Sequence, residues 1–296
     1  VENELSMNNN YCEKLRTSAV QSKSIVSMGL DPILEYLPIK TGNTREDLSL
    51  FFKTVFSEML DRGVLPGAFK PNIGYYHALD RPRTGDFSGS AALADLLDTL
   101  EQLFPGIPVI LDAKRGDIAT SSSNYAQEAF TCWGTDAVTI SPYMGTDSVL
   151  PFLAHGKGVY ILDRTSNPGA ADFQDLTVSG ELLFRRVAEQ IIQWAQKHPG
   201  TGAVVGATSP DELESLAGVF AGKEIPLLIP GVGSQGGNGI ETVARLRKAG
   251  YDPLLARINS SSGITHPWKK SPPPTQWAKA VVNNLESLNN ETGGAF

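Results

Sequence analysis

The stretch from Pro108 to Ser141, PVILDAKRGDIATSSSNYAQEAFTCWGTDAVTIS, decides the fold. It opens with a predicted strand, Pro108 to Lys114, apolar as far as Leu111, and passes through Gly116 into a segment that can be helical. A second β-branched run, Ala137 to Ser141, closes it. A strand, a crossover helix and another strand form a unit whose two strands lie parallel.

Working outward, the same alternation recurs along the chain. The predicted strands are Ser24 to Asp31, Ala68 to Ile73, Pro108 to Lys114, Ala137 to Ser141, Gly158 to Asp163, Gly202 to Thr208, Ile225 to Gly231 and Pro253 to Ile258. Each is followed by a helix-capable segment. The clearest helix is Arg45 to Arg62, where Leu48, Phe51, Phe52, Val55, Phe56 and Met59 fall on one face behind a capping Thr44. Leu183, Val187, Ile191 and Trp194 repeat the pattern, as do Trp277, Val281, Leu285 and Leu288. Eight such units without a linker match a single-domain (β/α)8 TIM barrel over residues 1–296 better than a doubly wound sheet. An N-terminal extension over about 1–23 and a C-terminal helix over about 274–292 flank the repeat.

Composition narrows the function. The 296 residues are 41% apolar and 19% charged, which excludes a disordered or fibrous chain. Twenty-five basic against 32 acidic side chains give a net charge of -7, which argues against a broad surface for nucleic acid or acidic lipid. A small anion must therefore meet a local cluster of cations. Cys12 and Cys132 form neither a disulfide framework nor a zinc spacing, and Val1 to Asn10 does not read as an export signal. No run reaches the roughly 18 to 20 apolar residues of a membrane helix. The expectation is a cytoplasmic protein with no membrane partner.

In barrels of this kind chemistry gathers at the carboxyl ends of the strands. The third predicted strand ends in Asp112-Ala113-Lys114, and strand alternation points Asp112 and Lys114 to one face. Opposite charges there cost desolvation, so chemistry is a better motive than stability. The second strand ends in Lys70 and the first in Asp31. Asp117 sits where the next helix begins, and its plain alternative is an N-cap.

Asp112-Ala113-Lys114-Arg115-Gly116-Asp117-Ile118 resembles the Asp-x-Lys-x-x-Asp signature of the orotidine 5'-monophosphate decarboxylase family. Lys70 matches the lysine that completes its Lys-Asp-Lys-Asp array. The resemblance implies catalytic roles for Lys70, Asp112, Lys114 and Asp117, with Lys114 as proton donor to C6. It also implies a homodimer in which Asp117 and Ile118 serve the neighbouring site. Asp31 matches the ribose-binding aspartate, and Ser166, in Asp163 to Gly169, the serine that bonds the pyrimidine. Gln235, in Pro230 to Gly237, matches the side-chain contact of the phosphate loop, and Ala256 and Arg257 the phosphate arginine and its neighbour. A partner hydroxyl follows Ile118 in the family. Thr120, Ser121, Ser122 and Ser123 all offer one, and Ser121 is chosen.

The implied activity is conversion of orotidine 5'-monophosphate to uridine 5'-monophosphate by a carboxy-lyase that uses no cofactor or metal. The alternatives are another phosphate-binding barrel decarboxylase and a catalytically silent nucleotide-binding protein. Gly231-x-Gly233-x-x-Gly236 spells a dinucleotide fingerprint, but it follows the seventh strand and no acid ends the next one, so phosphate binding is retained and a nicotinamide cofactor dropped. His77, His155, His198 and His266 lie too far apart in sequence to suggest a metal site. The connection Tyr75 to Ser90 has no assigned role.

Overall fold

The computed structural model describes residues 11–233, 236–269 and 271–296. Its strands are β1 (Val26–Gly29), β2 (Ala68–Lys70), β3 (Ile110–Arg115), β4 (Ala137–Ile140), β5 (Gly158–Arg164), β6 (Thr177–Val178), β7 (Glu181–Leu182), β8 (Thr201–Val205), β9 (Leu227–Pro230) and β10 (Ala256–Ser260). The helices are α1 (Tyr11–Ser22), α2 (Thr44–Arg62), α3 (Ile73–His77), α4 (Ser88–Leu103), α5 (Ala119–Gln127), α6 (Thr146–Leu153), α7 (Leu183–Ala195), α8 (Pro210–Phe220), α9 (Gly239–Lys248), α10 (Ser262–Thr265) and α11 (Trp277–Thr292).

Eight parallel strands run in the order β2-β1-β10-β9-β8-β5-β4-β3, and the bridges Phe69↔Val109 and Asn72↔Asp112 join the two ends into a barrel. All eight predicted strands are present, and β6 and β7 form a separate antiparallel hairpin. Parallel strands with both faces covered should be apolar throughout, and β1, β4 and β8 are buried along their whole length.

Helix α2 buries the predicted face, Leu48, Phe51, Phe52, Val55, Phe56 and Met59. Its cap differs from the expectation. Asn43 accepts the Glu46 N–H at 3.2 Å, and Thr44 is the first helical residue. The chain leaves the helix at Gly63, whose φ of 65° a side chain would resist. The connection Tyr75 to Ser90 is folded: it forms α3, a tight turn at Pro82–Thr84 and the entry to α4, where buried Asp80 accepts the Ser90 N–H at 2.9 Å.

The eighth barrel strand corrects the sequence reading. Pro253–Leu255 form a 3-10 turn, with Asp252 accepting the Leu254 N–H at 3.1 Å, so the strand starts at Ala256 and continues to Ser260. Ala256 and Arg257 therefore sit at its amino end, on the floor of the barrel and away from the mouth. The Arg257 guanidinium is fully buried and donates to the carbonyls of Gly67 (3.0 Å), Leu254 (3.1 Å), Ala256 (2.7 Å) and Leu15. Leu15 belongs to α1, which closes the floor. Tyr11 on α1 bonds Tyr160 of β5 through their hydroxyls at 3.1 Å, and Ser18 donates to Gly67 O at 2.8 Å. Among the described residues, no helix is long and apolar enough to cross a membrane.

Candidate active site

The carboxyl ends of β2 and β3 bring three of the expected charges into contact. Lys70 Nζ donates to Asp112 Oδ2 at 2.8 Å, and Lys114 Nζ donates to Asp112 Oδ1. Lys70 and Asp112 are 4% and 7% exposed, whereas half of the Lys114 side chain faces solvent. Burial favours a neutral Asp112, but the two ammonium groups override it and hold the carboxyl well below the usual carboxylate range. Burial likewise opposes charge on Lys70, and Asp112 and Asp31 together keep its pKa above the ordinary value. Lys70 and Asp112 are thus held as a charged pair at neutral pH.

Two neutral donors complete the shell of Asp112. Thr139 Oγ1 donates to Oδ1 at 2.9 Å and Asn72 Nδ2 to Oδ2 at 3.3 Å, so each oxygen meets one cation and one neutral donor. Asn72 also donates its main-chain N–H to Asp31 Oδ1 at 3.0 Å, linking the end of β1 to the charged group. Sequence reading missed both residues. Asn72 stands two positions beyond Lys70, where a strand end turns; Thr139, inside an apolar strand, carries no local signal.

The register explains how Lys114 reaches Asp112. Leu111 pairs with Val138 and Arg115 with Ile140, so three residues of β3 face Thr139 alone. Lys114 takes φ 47° within this bulge, a conformation that costs a non-glycine residue about 1–3 kcal/mol and is usual where function constrains the backbone.

The other expected residues lie as follows. Asp31 is half-buried behind β1. Asp117 Oδ1 accepts the Ile118 N–H at 2.7 Å, and its carboxylate forms no ion pair with Lys70 or Lys114 of its own chain. Ile118 is 53% exposed. Ser122 and Ser123 bond main-chain carbonyls through their hydroxyls, and Ser121 follows on the half-exposed first turn of α5. Ser166, on the loop leaving β5, packs on Gly206 so closely that a Cβ there would come within 2.8 Å of Ser166 Cβ. Gln235 lies outside the described residues.

The loops after β9 and β10 meet at the mouth in place of Arg257. Gly29 allows Ser261 to approach β1, since a Cβ at Gly29 would overlap the Ser261 hydroxyl, and Gly233 (φ 83°) faces the Ser260 hydroxyl. Segments 231–233, 236–237 and 260–263 bring glycine backbone and serine hydroxyls together, with no cationic side chain, and the Gly233, Gly236 and Gly237 N–H groups donate to carbonyls of their own loop. Ending the predicted strand at Ile258 hid Ser260, Ser261 and Ser262. Around the barrel β3, β2, β1, β10 and β9 are successive neighbours, so charged trio, Asp31 and glycine-serine loops form one arc.

Two buried groups stand outside this arc. Asp163, the extra residue where Leu162 pairs with Val204 and Arg164 with Val205, has neither carboxyl oxygen hydrogen-bonded among the described residues, and burial raises its pKa well above the ordinary value. His266, fully buried beyond α10, stacks on Phe51 at 5.5 Å and meets Tyr36 and Trp268 edge-on. Burial lowers its pKa to about 4, with slight opposition from the nearby Asp31 main chain.

Fold and site define a (β/α)8-barrel enzyme whose charged centre lies at the carboxyl mouth of the strands. A family model described as "Orotidine 5'-phosphate decarboxylase / HUMPS family" matches residues 68–264, from β2 through the serine loop. The chain belongs to that family. It is 37% identical over 285 residues to the orotidine 5'-phosphate decarboxylase of Cupriavidus metallidurans, covering 96% of this chain and 99% of the relative. Identity to the enzyme of the same name from an Azoarcus species is 40% over 280 residues, covering 94% and 98%. Among solved structures, the Leishmania donovani OMP decarboxylase superposes with a TM-score of 0.71 at 28% identity, over 96% of this chain and 99% of that one.

Proposed function

We propose that the protein decarboxylates orotidine 5'-monophosphate to uridine 5'-monophosphate. The observation that carries this reading is the Lys70–Asp112–Lys114 contact group at the barrel mouth, in which the Lys114 side chain is half-exposed. Loss of CO2 leaves an electron pair on C6 with no adjacent carbonyl to accept it. A fixed ammonium next to C6 stabilises that pair and then donates a proton to it, and Lys114 regains its own from solvent. Asp112 lies beside the departing carboxylate, and Lys70 prevents Asp112 from taking up a proton. Preset charges need no reorganisation as the carbanion forms.

Asp31 takes the ribose and Ser166 the pyrimidine. The phosphate fits the hydroxyls of Ser260, Ser261 and Ser262 where they face the Gly231–Gly237 loop, together with Gln235 by family resemblance. Binding that remote group offsets the cost of closing the Ser166 and Gly231–Gly237 loops over the substrate.

A second copy of the chain completes the site. Asp117 forms no ion pair with Lys70 or Lys114 of its own chain, and the described residues Ile118, Tyr143, Met144 and Phe173 are exposed, an apolar surface suited to a self-complementary dimer. In that dimer Asp117, Ile118 and Ser121 reach the partner's substrate. Two cysteines at unrelated positions suit a reducing compartment, the cytoplasm.

The test follows the ultraviolet absorbance of orotidine 5'-monophosphate with purified protein and with Lys114→Ala. Turnover should fall by at least about 10⁴-fold in the variant, because the group that stabilises and protonates C6 is gone. No substrate loss with the unmutated protein would remove the proposal.

A further inference from the structure

The two amides of the β3 bulge, Ala113 N–H and Lys114 N–H, have no β4 carbonyl to meet. Both donate to Thr139 Oγ1, each at 3.0 Å, and that hydroxyl in turn donates its proton to Asp112 Oδ1 at 2.9 Å. One side-chain oxygen therefore satisfies two main-chain donors of a left-handed turn and orients the carboxylate between the two lysines. Thr139 is 1% exposed, so water is poorly placed to replace it.

We propose that Thr139 is a positioning residue for the reaction: its hydroxyl ties the strained Lys114 turn to Asp112 and so sets where the Lys114 ammonium stands. This rests on the decarboxylase reading above. The hydroxyl matters most after proton transfer. When Lys114 becomes a neutral amine, its charge-assisted bond to Asp112 weakens, and Thr139, Asn72 and Lys70 continue to hold the carboxylate. Without Thr139 the two amides lose their acceptor, the left-handed turn relaxes, and the ammonium moves from its aim. A displacement of about 1 Å is enough to cost about 100-fold in rate.

The experiment compares Thr139→Val, which keeps the shape and removes the hydroxyl, with Thr139→Ser, which keeps the hydroxyl. Readouts are kcat and KM for orotidine 5'-monophosphate and the dissociation constant of uridine 5'-monophosphate, which needs no proton. Thr139→Val should lower kcat by about 10- to 100-fold, with KM and uridylate affinity within about threefold, and Thr139→Ser should recover most of the loss. Unchanged kcat in Thr139→Val overturns the proposal. A parallel fall in kcat, KM performance and uridylate affinity that Thr139→Ser does not rescue also overturns it, since that marks a general structural role. Should Thr139→Val fail to fold, Thr139→Ala is compared with Thr139→Ser by the same criteria. Lys114→Ala run alongside separates the two ideas: full activity there defeats the decarboxylase mechanism and the proposal with it, whereas an inactive Lys114→Ala with a fully active Thr139→Val defeats the proposal alone.

Discussion

Replacing Arg257 with methionine separates a floor role from a phosphate role. The guanidinium is wholly enclosed and bonds four main-chain carbonyls, from Gly67, Leu254, Ala256 and Leu15, which tie β2, the turn before β10 and α1 together. Hydrogen bonds from a charged donor contribute about 1.5–3 kcal/mol each. Against them stands the desolvation of a cation that has no carboxylate partner among these contacts, which costs several kcal/mol and lowers the arginine's pKa. Arg257→Met removes both and leaves buried carbonyls without a donor. The net loss should be about 3–5 kcal/mol, a large share of the roughly 5–15 kcal/mol by which domains are stable. With an m-value of about 3 kcal/mol/M, the urea midpoint falls by about 1–1.7 M. The assay pairs urea unfolding, followed by tryptophan fluorescence, with turnover of orotidine 5'-monophosphate under conditions where the variant is folded. KM should stay within about threefold, because the side chain lies at the opposite end of β10 from Ser260. An unchanged urea midpoint with a KM raised about 100-fold would falsify the floor assignment.

His266 and the rim offer further checks. Because its pKa is near 4 in the fold and about 6.5 unfolded, the neutral ring contributes stability present above pH 6.5 and lost as pH falls through 4. About 3 kcal/mol should disappear across that window, and His266→Phe should abolish this part of the pH dependence in urea titrations; identical pH slopes for both proteins would remove the assignment. Asp163 works in the opposite sense, since a raised carboxyl pKa favours the fold as pH falls. If the proposed dimer forms, Tyr143→Asp, on the most exposed large aromatic among the described residues, should give a folded monomer by sedimentation with activity down at least about 100-fold, because the proposed Asp117 contribution to a neighbouring site is lost. A monomer with full turnover would contradict the shared site.

Much of the architecture was legible in the sequence because it rests on local regularities. Apolar runs and helical stripes repeat eight times, and each predicted strand is present, since burying both faces of a parallel strand demands such runs. Lys70, Asp112 and Lys114 were legible as charges interrupting apolar strands toward their carboxyl ends, although a bulge at Lys114, and not plain alternation, brings its ammonium to Asp112. Segment boundaries were less legible. A turn at Pro253–Leu255 moves the last strand by about two residues, and that shift sends Arg257 from mouth to floor and brings Ser260 to the mouth.

The sequence by itself determined a barrel, its charged mouth and its family resemblance, because repeating patterns and short motifs are written in neighbouring residues. Only the tertiary structure decided which groups meet. Thr139 is 27 positions from Asp112 in the chain yet bonds it directly, and Leu15 is 242 positions from the arginine it holds. Those contacts follow from strand register and barrel closure, where a slip of one or two residues turns a side chain to the other face or moves it to another end.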